Sequence, residues 1–399
     1  MQHTSTAVNG RHYSHIVVGA GALGSAAAYR LARAGATDVL AIEQFPLGHG
    51  RGGSDDHSRI IRHAYHSADY TAMTHEMFRA WTEVEDESGL TLVTTTGGLD
   101  LAVRDTPGEL ELHNYGATLR ADVSREHLDA AEVRRRWPQW QIDDDVVGLF
   151  QENGGLLDIR RANGAHRALA RARGVEFLAD TKVTALTHHD SHVEVHTSAG
   201  VFRAESVVLC TASWAEELLR PLGYDWRFTV SQEQVSWFAT PNVREFLPDR
   251  FPMWIWHDEH VFYGFPVYGE VAVKVSRDVS GRWVTPDTRS FDPEPDETEM
   301  YLDFLRRRLP GAVGPELYSR TCLYDMTPDR DFVLDRLPGH PRITVGFGAA
   351  HAAKFASLIG EIVAELAITG SSRQPIAPFR ADRPALTDPD FVLAYRMNE

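Results

Sequence analysis

The stretch HIVVGAGALGSAAAYRLARAGATDVLAIEQ, residues His15 to Gln44, decides the fold. It opens on a short apolar run, Ile16 to Val18, of the kind that forms a strand buried on both faces. Gly19, Gly21 and Gly24 follow at G-x-G-x-x-G spacing, Ser25 to Ala34 reads as a helix, and a second apolar run, Val39 to Ile42, ends in Glu43. The first glycine permits a tight turn, the second lets backbone approach a pyrophosphate, and the third lets helix pack closely on strand. The helix N-terminus then offers unpaired N–H groups and partial positive charge to the phosphates. Glu43, 19 residues beyond Gly24, stands where an acid accepts both ribose hydroxyls and disfavours a 2′-phosphate. A glycine triplet alone is often only a small-residue turn. With strand, helix, second strand and terminal acid in register, it predicts dinucleotide binding.

The 399 residues suit about two domains, and 43% hydrophobic with 24% charged residues is ordinary for a globular chain. Forty basic against 56 acidic side chains leave a formal charge of −16, which excludes a general polyanion-binding role and a nucleic-acid partner. The runs Arg134 to Arg136 and Arg306 to Arg308 read as solvated helix faces. Two cysteines, Cys210 and Cys322, make neither a disulfide framework nor a metal quartet, and no metal is expected. Residues 1–14 are polar, no apolar run nears membrane-spanning length, and Arg396 to Glu399 carries no peroxisomal or retention signal. Cytoplasm is the expected compartment.

Along the chain, Pro46 to Arg59 is a Gly- and Asp-rich loop, and Tyr70 to Ser88 a helix stopped by Gly89. Gly97 to Val103 alternates like a strand, a charged helical stretch runs to Arg136, and Gly155 to Arg173 holds another helix. VEFLADTKVTAL, HVEVHTS and SVVLC read as strands, and Thr211 to Leu219 as a helix. From Phe228 to Val275 the runs are aromatic and β-branched with turns between them, the pattern of an antiparallel sheet. Thr285 to Glu299 is a Pro- and Asp-rich linker, Met300 to Arg308 a helix, Ile343 to Phe347 a strand, and His351 to Thr369 a long helix closed by Gly370. The expected class is α/β (α+β), with a Rossmann-like nucleotide domain of discontinuous segments and an inserted mixed-sheet domain. The nucleotide domain takes residues 1–90, 151–225 and 320–399; the inserted domain takes 91–150 and 226–319.

Cys210, inside its apolar strand, reads as structural. Cys322 lies in TCLYDMTPDRDFVLD, read as a polar loop, where a reactive or modified thiol is admissible. Arg59 and Arg62 are either two surface arginines or, following a loop that should approach the cofactor, a bidentate grip on a carboxylate. Lys274 is the lone charge in VAVKVS, and a mid-strand lysine ordinarily faces solvent. Lys354 falls in the first turn of the last helix, where a cation opposes the dipole and needs a compensating anion. His351, Asp278 and the pair His188 and His189 read as structural or surface groups.

With these residues in view, the chain resembles the family of monomeric sarcosine oxidase and N-methyltryptophan oxidase, FAD enzymes of the D-amino-acid-oxidase superfamily. The resemblance covers most of the chain. It is specific at VVGAGALGSAAAYRLA with Glu43, at SRIIRHAY, and above all at TCLYDMTPDRDFVLD followed by GFGAAHAAKFASLIGE. It implies an FAD domain of three segments and a substrate domain over the flavin ring. It implies that Cys322 bonds FAD covalently through the 8α-methyl group (8α-S-cysteinyl) and that Arg62 and Lys354 bind the substrate carboxylate. Lys274, eleven residues after Tyr263, is implied as the oxygen-activating lysine, with Arg59 beside the flavin ring and Tyr263 and Tyr324 walling the substrate amine. Ser58, Val183 and Lys354 join Gly19, Gly21, Gly24, Glu43 and Cys322 in the implied cofactor set. This chain also departs from the family. Asp278 replaces a histidine four residues after the lysine, Trp254 stands about where sarcosine oxidase has a methionine, and Trp256 adds bulk nearby. The loop before SRIIR is one residue shorter. These departures bear on the substrate and leave FAD binding untouched.

The expected activity is two-electron oxidation of an amine carbon of an N-methyl, cyclic or other amino acid, with O2 as acceptor, giving an imine and H2O2. A small-molecule amino acid or amine and O2 are the expected partners, without membrane or nucleic acid, in a monomer or small homo-oligomer. The alternatives are an FAD dehydrogenase using another acceptor and a nucleotide-binding redox sensor without turnover.

Overall fold

The computed structural model describes residues 11–395; Met1 to Gly10 and Arg396 to Glu399, on which most of the terminal targeting reading falls, lie outside the described residues. The chain is a mixed α/β protein. Its first strand, His12–Val18, is central to an eight-stranded sheet and pairs in parallel with Val39–Ile42 on one side and Gly200–Leu209 on the other. Glu176–Leu178 extends the first side, and His340–Phe347 pairs in parallel with Gly200–Leu209. Sequence segments hundreds of residues apart thus form one sheet. Ile16, Val17, Leu40, Ala41, Val207, Val208, Ile343 and Val345 are buried, as continuous apolar runs covered on both faces require.

The first helix runs Ala22–Arg33, three residues earlier than its apolar pattern suggests, because the glycine turn already closes at Gly21. It packs on Ile159–Ala172 and on the last helix, Ala356–Thr369. The approach to the last helix is close: a β-carbon on Gly360 would lie 2.6 Å from the Ala26 β-carbon.

A second, nine-stranded sheet gathers Gly98–Val103, Glu126–Asp129, Val146–Gln151, Thr229–Phe238, Met253–His257, Phe262–Phe265, Val273–Arg277, Arg282–Trp283 and Glu316–Met326. One face packs on the helix Pro295–Arg308 through Trp254, Trp256 and Phe304. A three-stranded sheet, Arg59–Ile61, Gly155–Leu157 and Val93–Thr95, carries the SRIIR segment.

Four local readings change. Cys322 lies in the strand Glu316–Met326, paired along Thr229–Phe238, and not in a loop. The polar residues of this strand face a cavity, so its sequence lacks the apolar alternation of a core strand. That strand also runs through the boundary expected at residue 320. The residues read as linker start a helix at Pro295, with proline in the first turn and Asp296 and Glu297 at the positive end, which are helix-start signals. Gly155–Leu157 is a strand before the helix Ile159–Ala172. Finally, Ala349 and Ala350 adopt left-handed φ values of +45° and +71°, so the chain turns before Ala352–Phe355, and Lys354 sits in a 3-10 turn ahead of the last helix.

Candidate active site

Two lobes of one cleft share Ala22, Leu23, Gly52, Gly53, Ser54, Asp55 and Ala212 as walls. The first lobe lies over the glycine turn and contains Gly19, Gly21, Glu43 and Val183. Gly19 has φ +90°, which a side chain resists, and a β-carbon there would lie 2.4 Å from the Cys210 carbonyl oxygen. A β-carbon on Gly21 would lie 2.8 Å from Ser54 Oγ, and one on Gly24 1.8 Å from the Gly19 carbonyl oxygen. Gly24 therefore serves the close packing of helix on turn and does not line the lobe. Glu43 accepts from Ala20 N at 2.9 Å and Phe45 N at 3.1 Å, with His49 Nε2 at 3.3 Å. Burial pushes its carboxyl up, but these donors prevail and hold it below the ordinary range, as an anion.

The second lobe, about 570 Å³, lies between the two large sheets. Lys274 projects into its wall and is buried, so the solvent-face reading fails. Its Nζ pairs with Asp56 and donates to the Ser58 carbonyl oxygen at 2.8 Å and Ser58 Oγ at 3.1 Å. Burial lowers it to about 8, against the pull of Asp56. Arg59 shares the same carboxylate at 2.9 Å and donates to the carbonyl oxygens of Gly53 at 3.1 Å and Asp55 at 2.6 Å. Asp56 has φ +106°, a conformation costing on the order of 1–3 kcal/mol, which the two cations and the His57 N–H hold in place. Cys322 lines this lobe, its thiol pushed up to about 11 by burial, with Arg59 drawing it back. Tyr263 and Tyr324 face each other at 3.4 Å, and burial raises both hydroxyls.

Arg62 also lines the lobe, but it already has an anion. Its guanidinium pairs with Asp100, which holds His257 Nε2 at 2.8 Å, and it lies 4.8 Å over the Tyr115 ring. Burial lowers Arg62, and Asp100 more than restores it. Arg62 therefore needs no outside anion to balance its charge. Lys354 has no carboxylate within 4.0 Å among the described residues; its Nζ donates to the Tyr65 hydroxyl at 2.8 Å. Arg330 grips Asp278 through Nη1 at 3.1 Å and Nη2 at 3.4 Å. Asp278 and His351, read from sequence as structural or surface groups, both line the lobe.

Trp254 does not reach the cavity. Strand alternation turns it and Trp256 into the core, where Trp254 stacks on Phe304 at 5.3 Å, while Ile255 and His257 face the lobe. The expectation that Trp254 lines the substrate site is corrected: Ile255, and not Trp254, lines the cavity. Asp100, Asp56, Arg330, Tyr65 and Tyr115 went unread. Asp100 had a usable signal, a lone charge inside an apolar strand as with Lys274; Asp56 and Arg330, in turns, had none. His188 and His189 lie on the hairpin Val183–His188 to Val193–Thr197, outside the cavity. His189 stacks on His192 near Glu194, whose carboxylate Arg203 holds at 2.9 Å.

The family model described as FAD dependent oxidoreductase (DAO) matches residues 14–366. The chain belongs to this family. As an FAD dependent oxidoreductase it is 34% identical over 379 residues to the monomeric sarcosine oxidase of Streptomyces avermitilis, covering 92% of this chain and 96% of that protein. It is 30% identical over 381 residues to the N-methyl-L-tryptophan oxidase of Escherichia coli O81, covering 93% and 99%. Its fold matches that of NikD, described as an unusual amino acid oxidase essential for nikkomycin biosynthesis, with TM-score 0.82, 26% identity, and coverage of 98% and 100%. The residues of this FAD dependent oxidoreductase fit its cofactor: a side-chain-free glycine cradle, an anionic Glu43 at one end, and a continuous cleft leading to Cys322 and Lys274.

Proposed function

We propose that this chain oxidises a C–N bond of an N-methyl or cyclic amino acid in the cytoplasm, with O2 as acceptor and FAD held covalently at Cys322. One observation carries the amino-acid part. Among the described residues, six lysine and arginine side chains line the substrate lobe: Arg59, Arg62, Lys274, Arg320, Arg330 and Lys354. Five of them have a carboxylate partner, and among the described residues Lys354 does not. A half-buried ammonium without a counter-charge is costly, and a substrate carboxylate supplies it. Arg62, already fixed by Asp100, adds a second donor fork at the same wall.

The residues divide the work. Ile255, Trp237, Phe265, Tyr263 and Tyr324 form an apolar, aromatic enclosure that disfavours the substrate ammonium and favours the neutral amine. The two tyrosine hydroxyls stay protonated and can orient that amine. When bound, FAD supplies the two-electron acceptor for the amine carbon. Lys274, mostly charged at neutral pH and tied to Asp56, places positive charge where oxygen gains electrons.

A peroxide-coupled screen of N-methyl and cyclic amino acids, each beside its decarboxylated amine, tests the proposal. Peroxide from an acid-bearing substrate, and much less from its amine analogue, is the expected result. Turnover only with an artificial electron acceptor would replace the oxidase with a dehydrogenase. Flavin that no amine bleaches would favour a redox sensor.

A further inference from the structure

The contacts of Lys354 continue in a fixed direction. Its Nζ donates to Tyr65 Oη at 2.8 Å; Tyr65 Oη lies 3.2 Å from His351 Nδ1; and His351 Nε2 lies 2.8 Å from the Arg330 carbonyl oxygen. A carbonyl can only accept, so the proton of the neutral ring sits on Nε2 and Nδ1 is an acceptor. Tyr65 therefore gives its only proton to His351, and its oxygen is left to receive from Lys354. The imidazole is held by Phe332 and Tyr70 rings at 4.9 and 5.3 Å. Burial keeps it well below the ordinary histidine range, with Lys354 and Arg330 acting in the same direction, so the acceptor at Nδ1 persists. Trp81 Nε1 fixes the Lys354 backbone through its carbonyl oxygen at 2.6 Å.

We propose that Tyr65 and His351 are positioning residues that hold Lys354 as a hydrogen-bonded but charge-unpaired ammonium, ready for the substrate's acid group. This rests on the reading above that Lys354 receives that group. Arg62, Arg59 and Arg330 face Lys354 as cations, Asp278 as the acid, and His66, His351 and Tyr65 as neutral groups. Burial, then Arg62, brings Lys354 down to about 7, with Asp278 pulling the other way. The acid-binding form is thus the low-pH form, and affinity for an acid falls as pH rises through about 7.

The test is binding of benzoate, ionised throughout, and of uncharged benzamide to the flavin-loaded enzyme, read from the flavin absorbance between pH 5.5 and 9. Wild type should lose benzoate affinity about tenfold per pH unit above its inflection, with benzamide affinity flat. Tyr65→Phe removes the nearer acceptor of Lys354 and leaves only the His351 carbonyl oxygen at 3.4 Å, and His351→Leu removes the acceptor that orients Tyr65. Each should move the inflection down by about one unit, weakening benzoate about tenfold at pH 7.5. His351→Asn puts an oxygen near the Nδ1 position and should restore the wild-type profile. For the best substrate of the screen, KM should rise in the two disrupted variants while kcat changes less than about threefold. Unchanged inflections in Tyr65→Phe and His351→Leu, with the pH dependence lost in Lys354→Met, would overturn the positioning role and leave the acid site standing. A wild-type benzoate profile in Lys354→Met would overturn the acid site itself, and the proposal with it.

Discussion

Replacing Asp100 by alanine should destabilise the protein more than removing Asp100 and Arg62 together. Asp100 is 1% exposed and Arg62 7%, and Arg62 Nη1 and His257 Nε2 both approach Asp100 Oδ1. Without the carboxylate, a guanidinium that cannot deprotonate is buried beside the Tyr115 ring with no counter-charge, at a cost of about 3–5 kcal/mol. His257 loses its partner as well, adding about 1 kcal/mol. In the double variant the uncompensated charge is gone, and the remaining loss is packing on Tyr115. The expected stability order is wild type, then Arg62→Ala/Asp100→Ala, then Asp100→Ala, the reverse of additive behaviour, with a coupling of about 2 kcal/mol or more. Urea denaturation of the flavin-loaded proteins, followed by tryptophan fluorescence, measures it. A double variant less stable than Asp100→Ala, or an Asp100→Ala protein within about 1 kcal/mol of wild type, would refute the reasoning. The pH dependence has a sign too. Burial alone would raise Asp100, but Arg62 and His257 hold it below the ordinary carboxylate range. Its stabilisation is therefore complete above the unfolded value of about 4 and disappears as pH falls through the lower folded value. Asp100→Ala should lack that component of acid denaturation.

Cys322→Ser should release its flavin into the supernatant on acid precipitation, whereas wild-type protein should carry yellow into the pellet; a colourless wild-type pellet would end the covalent assignment. Lys274→Met should slow flavin reoxidation by a factor on the order of 10²–10³ and anaerobic reduction much less. In wild type the reoxidation rate should fall as pH rises through about 8, where Lys274 loses its proton, which stopped-flow mixing with oxygen would show. Trp254→Ala should cost about 3–5 kcal/mol in denaturation experiments with the substrate ranking unchanged, whereas Ile255→Trp should change that ranking in the peroxide screen. A changed ranking in a folded Trp254→Phe protein would count against its core placement.

The nucleotide half was legible because its signals are local. Ile16 to Glu43 holds strand, turn, helix, strand and acid in one continuous run, and a buried parallel strand needs no partner to be recognised. The substrate lobe was legible only at isolated residues. Arg62, Lys274 and Lys354 stood out as cations, yet the acids that pair with the first two, Asp100 and Asp56, come from other strands and turns. Charge pairing across 38 or 218 residues leaves no trace in spacing. Trp254 shows the same limit: within a sheet strand, one residue of register separates core from cavity, and Met253 to His257 is buried on both faces. Cys322 was misread because a strand whose polar residues line a cavity has the composition of a loop.

The close seating of Gly360 against Ala26 places a constraint on biosynthesis. These two residues are 334 positions apart, so at ~5–20 residues per second the ribosome delivers the last helix roughly 20–70 s after the first. Throughout that interval the alanine face of Ala22–Arg33 has only part of its cover, and the strand Gly200–Leu209 lacks its parallel neighbour His340–Phe347. The nucleotide sheet therefore closes only late in synthesis, as a long-range step. A chain stopped before residue 340 would retain the glycine turn, Arg62, Lys274 and Cys322, yet lack the helix that packs on Ala26 just after that turn.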